Sequence, residues 1–279
     1  MKRIDLHVHT SASDSTFSPT QTVQIARDSG LAAIAVTDHD NVSGVAEAIE
    51  AGKALGVEVV RGVEISTKYG GAVHILGYFI HSDGSKMQSV FDWMVHDRDE
   101  RNEKICALMA ADGLDVSYAE MKARFGTAIG RPHLAQVLVE LGMATDMVDA
   151  FDRYVEKGRR YYLPRNFLPI EKCVETIREA GGIPVLAHPF QYKRDDSGLR
   201  ELIELCVDHG LMGMECRYSG YDADMVHYLE ALKDKYGLLE TGGSDFHGGH
   251  KPGIEMGRGI NGNLDVPYEF LEKLKDVKI

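Results

Sequence analysis

Residues 31–66, LAAIAVTDHDNVSGVAEAIEAGKALGVEVVRGVEIS, hold the alternation of patterns that decides the fold. The apolar run LAAIAV is short enough for a buried strand, and SGVAEAIEAGKALG has the spacing of an amphipathic helix that ends at Gly56. A second strand-like run, VEVVRGVEIS, follows directly. A helix that joins two buried strands is typical of a parallel α/β sheet or barrel.

The same alternation continues on both sides of this stretch. Upstream, RIDLHVHT reads as a strand, and a helix begins where Ser18 precedes Pro19 and stops before Gly30. Downstream, AVHILGYFI is another strand, and helix–strand pairs return after about Leu168 and end with LLETGGSDFH. The pattern predicts some seven strands arranged in a barrel-like α/β domain.

Between these two regions the alternation stops, and residues 86–165 have helical spacing throughout. We predict a discontinuous barrel domain, residues 1–85 and 166–279, that is interrupted by an all-helical insertion over 86–165. The insertion has a net charge of −1, whereas the rest of the chain has −11, so the acidic character belongs to the barrel.

Composition excludes several classes of protein. The net charge of −12 argues against a protein that coats duplex nucleic acid. No apolar run approaches the length that spans a bilayer, and the first residues lack the apolar segment of a signal peptide. Four cysteines without a CxxC pair are typical of reduced thiols. We therefore expect a cytoplasmic protein that binds neither duplex nucleic acid nor membrane.

Ionisable residues recur where the predicted strands end. In parallel α/β sheets and barrels, ligands bind at the carboxyl ends of the strands. The residues expected at that edge are His7, His9, Asp14, Asp38, His39, Glu64, His74, His188, Asp245 and His247.

The spacing of these residues favours a metal site. Side chains alternate across a strand, so His7 and His9 point to the same side, as do Asp245 and His247. Mixed imidazole and carboxylate ligands suit Zn²⁺, Mn²⁺ or Fe²⁺ better than Ca²⁺, with Mg²⁺ as an alternative. Each motif alone has a simpler structural explanation, and we expect Asp38 to orient a ligand histidine rather than bind metal. Their recurrence indicates metal, because burying so many ionisable groups without a cation is costly.

The number of ligands points to the chemistry. Six histidines and three carboxylates exceed the four ligands of one tetrahedral zinc, so two or three cations are implied. Several adjacent cations favour hydrolysis at phosphorus, because they activate water and hold the phosphoryl oxygens.

Taken together, HxH, TDH, a strand-end Glu, AHP and SDFH resemble the PHP (polymerase and histidinol phosphatase) family between about Arg3 and Gly259. The resemblance implies a distorted (β/α)7 TIM-like barrel with a trinuclear metal site. It assigns one metal to His7, His9, Glu64 and Asp245, a second to Glu64, His74 and His188, and a third to Asp14, His39 and His247. Some branches of the family have a histidine in place of Asp14, which leaves the identity of the third metal open.

Within the insertion, GRPHLA resembles the family branch of small phosphoesterases that act on nucleotides. In that branch an Arg and a His, here Arg131 and His133, reach the substrate phosphate from the insertion. Arg217, at the end of another predicted strand, is a further candidate for substrate binding or for a salt bridge at the rim.

These observations predict a metal-dependent phosphoesterase for a small phosphorylated substrate, either a nucleoside 3′,5′-bisphosphate or the 5′ end of a short oligoribonucleotide. A metal-bridged hydroxide would attack phosphorus. Glu64, Asp245, Arg131 and His133 are the expected catalytic residues, and His133 either binds phosphate or protonates the leaving oxygen. The alternatives are a histidinol-phosphate phosphatase, an amidohydrolase that cleaves C–N bonds, and a scaffold or sensor without activity.

Overall fold

A computed structural model describes residues 2–81, 86–126 and 129–278. Seven strands form its main sheet path: β1 (Arg3–Val8), β2 (Leu31–Val36), β3 (Glu58–Lys68), β4 (Ala72–Tyr78), β6 (Ile183–Leu186), β7 (Gly213–Tyr218) and β8 (Leu239–Gly243). The short strand β5 (Leu168–Pro169) pairs with β3, and β9 (Ile254–Glu255) forms a separate hairpin with β10 (Gly259–Ile260). These three short strands lie outside the predicted seven.

The main sheet is nearly closed into a barrel. Its order is β1-β2-β3-β4-β6-β7-β8. The segment after β8 returns to β1, where the N–H of Asp245 donates to the carbonyl of His7 at 2.9 Å and Phe246 pairs with Val8 in parallel. The predicted distorted barrel of seven strands is therefore confirmed.

Strand β4 corrects one expectation. It pairs antiparallel with both β3 and β6, so His74 lies near the amino end of its strand and not at a carboxyl end. The reason is the three-residue connection from β3 to β4, since so short a link can join only antiparallel neighbours. The reversal still places His74 at the carboxyl-end edge of β3.

Helices surround the sheet: α1 (Pro19–Asp28), α2 (Val45–Leu55), α7 (Ile170–Glu179), α8 (Asp196–Asp208), α9 (Ala223–Tyr236) and α10 (Glu269–Lys275). Helix α1 begins as predicted, because the Ser18 hydroxyl accepts the N–H of Gln21 while the Gln21 side chain accepts the N–H of Ser18. Gly56 ends α2 in the left-handed conformation, with φ 74°.

Residues 86–165 contribute α3 (Lys86–Ala111), α4 (Tyr118–Phe125), α5 (Arg131–Glu140), α6 (Met147–Ala150) and a π-helical turn, Phe151–Val155. The helical spacing in this part of the insertion thus corresponds to α6 followed by the π-turn. These helices share an apolar cluster of their own, which includes Ile105, Leu134 and Val155. The start of α3 packs instead against the barrel, through Met87, Phe91 and Met94.

Three apolar clusters hold helices against the sheet, and in one of them α10 packs on β1, β2 and β4. Helices α1 and α2 pack on Val8, Ile34 and Val36, whereas α7, α8 and α9 pack on β3, β4, β6 and β7. Across the described ranges, no helix combines the length and the apolar character needed to cross a membrane.

Candidate metal centre

The predicted ligands converge at one edge of the barrel. His7 lies in β1, Glu64 in β3 and His74 in β4, and the other ligands lie in the segments that follow β1, β2, β6 and β8. Seven of the nine predicted ligands are buried, and His39 and His74 are half-buried. Strand ends that are distant in the sequence therefore place their polar side chains close together, because the barrel brings those ends to one edge.

Glu64 is the centre of this group. Its carboxylate is surrounded by five imidazoles, and their nitrogens lie between 2.7 and 3.3 Å from its two oxygens. The oxygen Oε2 faces His7, His9 and His39, and the oxygen Oε1 faces His74 and His188. One carboxylate that faces two sets of imidazoles has the geometry of a bridging ligand.

Asp14 is surrounded by a second group of histidines, next to the group around Glu64. Its Oδ1 lies 3.2 Å from His247 Nε2 and 3.7 Å from His9 Nδ1, while its Oδ2 lies 3.9 Å from His39 Nε2. The rings of His9 and His247 stack with centroids 4.0 Å apart. The loop after β1 thus contributes to two neighbouring groups of ligands.

Asp245 completes the first group. Its Oδ1 lies 3.3 Å from His9 Nε2 and 3.7 Å from His7 Nε2. Its Oδ2 accepts hydrogen bonds from the Tyr218 hydroxyl at 2.8 Å and from Lys251 Nζ at 2.5 Å. Lys251 therefore places a positive charge at the rim of the centre.

Three sets of donor atoms lie close enough to hold a cation each. Within each set all ligand atoms are within 4.8 Å of one another. The sets are His7, His9, Glu64 and Asp245; His9, Asp14, His39 and His247; and His39, Glu64 and His74. The third set contains His39 where the resemblance implies His188, although His188 Nε2 still lies 2.9 Å from Glu64.

The buried polar atoms fit divalent cations. Several of them have no hydrogen-bond partner: His7 Nε2, His9 Nε2, His39 Nδ1, Asp14 Oδ1 and Glu64 Oε2. Unsatisfied buried donors and acceptors are rare in folded proteins, and here they converge on shared points. Imidazole nitrogen together with carboxylate oxygen is a ligand set for divalent transition metals.

The pKa shifts in the centre reflect groups of opposite charge that are packed closely together. Burial raises the pKa of the Glu64 carboxyl, but the surrounding histidines outweigh it and hold that pKa well below its usual range. Burial lowers the pKa of His9, but the facing carboxylates of Asp245 and Glu64 outweigh it and raise the pKa to about 9. For His39, burial dominates and lowers the pKa to about 3. Glu64 is therefore ionised, as a carboxylate that binds metal must be.

Three residues at the centre hold a strained backbone. Asp40, His188 and Asp245 have φ values of 56°, 24° and 57°, a region that side-chain-bearing residues seldom occupy. Such strain persists only where the surroundings impose it, and it concentrates at functional sites.

Asp38 binds the loop after β1, and its expected role of orienting a ligand histidine stays a prediction. Its carboxylate accepts the N–H of Thr10 at 2.8 Å, the hydroxyl of Thr10 at 2.7 Å and the hydroxyl of Ser13 at 2.6 Å. The same Ser13 hydroxyl lies 3.5 Å from Nδ1 of the ligand histidine His9. Asp38 therefore anchors the loop that carries Asp14 and reaches His9 through Ser13.

Sequence reasoning missed Glu215 in β7. Its Oε1 lies 3.0 Å from His7 Nδ1, and its Oε2 accepts the N–H of His188 at 2.7 Å. A carboxylate on the far nitrogen of a ligand imidazole fixes the ring and makes it a stronger ligand. The available signal was a single glutamate inside an otherwise apolar run, LMGMEC.

His133 lies next to the centre, while Arg131 is further out. The ring of His133 lies 5.9 Å from that of His250, and His250 Nδ1 donates to the carbonyl of Asp14 at 2.7 Å. Arg131 is partly exposed, and its guanidinium contacts Glu156 at 3.2 Å.

Arg217 is not brought to the metal ligands. Its guanidinium pairs with Glu240 at 3.0 Å and with Glu230 at 3.3 Å, which is the salt bridge that the sequence left open. An irregularity in the pairing of β7 with β8 between Glu215 and Arg217 breaks the alternation that would put both side chains on one face.

The chain matches the PHP domain over residues 5–241. It is 34% identical over 247 residues to the 5′-3′ exoribonuclease of Haemophilus influenzae, covering 88% of this chain and 90% of that protein. It is 32% identical over 270 residues to the 3′,5′-nucleoside bisphosphate phosphatase of Chromobacterium violaceum, covering 96% and 93%. A solved structure from Bifidobacterium adolescentis, assigned as a metal-dependent phosphoesterase, superimposes with a TM-score of 0.86 and 29% identity, covering 100% and 98%.

Proposed function

The chain belongs to the PHP family and is a metal-dependent phosphoesterase, and from this premise we propose that it removes phosphate from small nucleotides. The observation that carries the proposal is the convergence of three donor sets on Glu64 and Asp14, with the facing atoms unpaired. The relatives act on a nucleoside 3′,5′-bisphosphate or on the 5′ end of RNA by their names. We extend that substrate class to this chain.

The proposed ligands hold two or three divalent cations, with Mn²⁺, Zn²⁺ or Fe²⁺ favoured over Mg²⁺. When bound, such cations supply a water of lowered pKa and positive charge for the phosphoryl oxygens. Glu64 would bridge neighbouring cations, and Asp245, fixed by Tyr218, would hold the first of them. Glu215 would keep the His7 ring in place.

Arg131 and His133 are the residues that would bind the phosphate of the substrate. His133 is buried and its Nδ1 accepts the N–H of Gly130 at 3.0 Å, so a neutral ring presents Nε2 as the remaining donor. That donor can bind a phosphate oxygen. Arg131 would exchange its surface partner Glu156 for the substrate phosphate, where two parallel hydrogen bonds are available.

We further propose that residues 86–165 act as a cap over the barrel. Their helices have a separate apolar cluster, and they carry His133 to the metal ligands of the barrel. The proposed boundary between residues 85 and 86 directly follows residues 82–85, which lie outside the described part of the chain.

The test combines metal analysis with a substrate panel. We expect two or three equivalents of metal and release of phosphate from nucleoside 3′,5′-bisphosphates or short 5′-phosphorylated RNA. Histidinol phosphate and an amide substrate assayed for ammonia are the comparisons, since the relatives do not favour those two alternatives or an inactive scaffold. Faster turnover of either comparison substrate, or less than two equivalents of metal with no phosphate release, would contradict the proposal.

A further inference from the structure

A group of arginines lies where the cap meets the barrel. Arg98 and Arg101 belong to α3, and Arg165 follows the cap. We refer to these three residues as the arginine cluster. Their exposed fractions are low for arginine, at 3% for the side chain of Arg98, 7% for Arg101 and 15% for the side chain of Arg165.

The cluster has fewer counter-charges than positive charges. Arg98 and Arg165 both pair with the buried carboxylate of Asp40, the latter at 2.9 Å. Among the described residues, no carboxylate forms an ion pair with Arg101. Two guanidinium groups therefore share one carboxylate, and the guanidinium of Arg101 has no carboxylate partner in the described part of the chain.

Across the residues that the structure describes, the arginine cluster also lacks hydrogen-bond acceptors for some of its buried N–H groups. The buried atoms Arg98 Nη1, Arg101 Nε and Arg165 Nε have no partner within the described ranges. A buried charge without a partner costs several kcal/mol, so proteins seldom keep one without a purpose. Burial, and then the neighbouring charge of Arg165, lower the pKa of Arg101 to about 10, as expected for crowded cations.

Asp40 ties the cluster to the metal centre. It follows His39 directly, and its own N–H donates to the carbonyl of Glu64 at 2.9 Å. An anion bound by the cluster would thus lie beside a phosphate held at the metal ligands, within the reach of one small molecule. Guanidinium groups present paired N–H donors that match a phosphate.

Resting on the proposed function, we propose that Arg98, Arg101 and Arg165 form a second phosphate subsite, which holds the phosphate of the substrate that does not react. The enzyme would then select substrates with two phosphates, such as a nucleoside bisphosphate or a phosphorylated oligonucleotide, over simple monoesters. Arg101 is the specificity-determining residue, because Asp40 already occupies part of the other two guanidinium groups.

The kinetic test compares Arg101→Ala on two substrates. For a nucleoside 3′,5′-bisphosphate, kcat/KM should fall at least about 10-fold, as expected for the loss of a charged hydrogen bond. For the matching 3′-monophosphate, it should stay within about 2-fold. Arg101→Lys should recover part of the loss, and Arg159→Ala, an exposed arginine of the cap, is the matched control. Equal losses on both substrates would overturn the subsite.

A binding test separates this inference from the proposed function. We expect metal-loaded wild-type protein to bind two equivalents of inorganic phosphate by calorimetry, and folded Arg101→Ala, checked by circular dichroism, to bind one. If both proteins bind the same number, the subsite is refuted whatever the enzyme hydrolyses. If the second equivalent depends on Arg101 but no nucleotide is turned over, the proposed function fails and the anion subsite stands.

Discussion

At the scale of single residues, Glu64 organises the centre. It is almost completely buried, yet it is ionised because five imidazoles surround it. A buried carboxylate is stable only when paired, so its surroundings amount to a site for positive charge. The five histidines around Glu64 are therefore explained together, as parts of one site for positive charge.

Replacing Glu64 by Gln tests the bridge. The amide keeps the volume but offers one neutral oxygen, so neighbouring cations lose their shared anionic ligand. We expect turnover to fall more than about 100-fold and the metal content to drop. Elemental analysis and phosphate release measure both effects. A variant with normal activity and a full set of metals would show that Glu64 does not bridge.

Replacing Asp14 by Ala tests the second set of ligands. Asp14 faces His247 and His39, whereas the first set contains Glu64 and Asp245 and does not depend on it. We expect one equivalent of metal to be lost while the metal at His7 stays bound. Loss of every metal, or of none, would contradict separate sets.

His133 makes a prediction about pH. Burial lowers its pKa to about 4 from an unfolded value of 6.5, so the unfolded chain takes up a proton first as the pH falls. The folded state should therefore lose up to about 3 kcal/mol of stability between pH 6.5 and pH 4, and none above pH 6.5. Urea unfolding at several pH values should show this loss in the wild type and less of it in His133→Gln. NMR of the zinc-loaded protein should show no His133 titration near pH 6.5; a transition there would refute the lowered pKa.

At the scale of elements, the attachment of α3 to the barrel stands out. Arg98 of α3 and Arg165 both pair with Asp40, which lies in the segment between β2 and α2. The contact connects residues 58 and 125 positions apart, so it fastens both ends of the cap to one point. Asp40 holds a positive φ there, which supports the view that the geometry is imposed.

Asp40→Asn tests this attachment. Asparagine tolerates the left-handed backbone, so the change removes the charge and little else. Arg98 and Arg165 would remain buried without a counter-charge, and the free energy of unfolding in urea should drop by about 3–5 kcal/mol. Asp28→Asn, at an exposed pair with Arg27, is the control and should leave stability unchanged. Equal effects of both substitutions would show that the ion pair does not hold the cap.

At the scale of the whole molecule, the negative charge of the chain and the buried carboxylates make metal part of its stability. Cations that bind only the folded state stabilise it by mass action, by about 4 kcal/mol at 1,000 times Kd. Chelation by EDTA should therefore lower Tm by at least about 5 °C, measured by circular dichroism, and added Mn²⁺ should restore it. An unchanged Tm would mean that the centre is preorganised without metal.

The sequence by itself determined the barrel class and the chemical types in the site. Strand–helix alternation and the positions of His, Asp and Glu at strand ends are local patterns, readable over a few residues. Only the tertiary structure decided the contact of Glu215 with His7 and the pairing of Arg217 with Glu240. These features depend on strand pairing and on contacts as far as 208 positions apart. Local periodicity carries no information about such contacts, because they form only when the chain closes into the barrel.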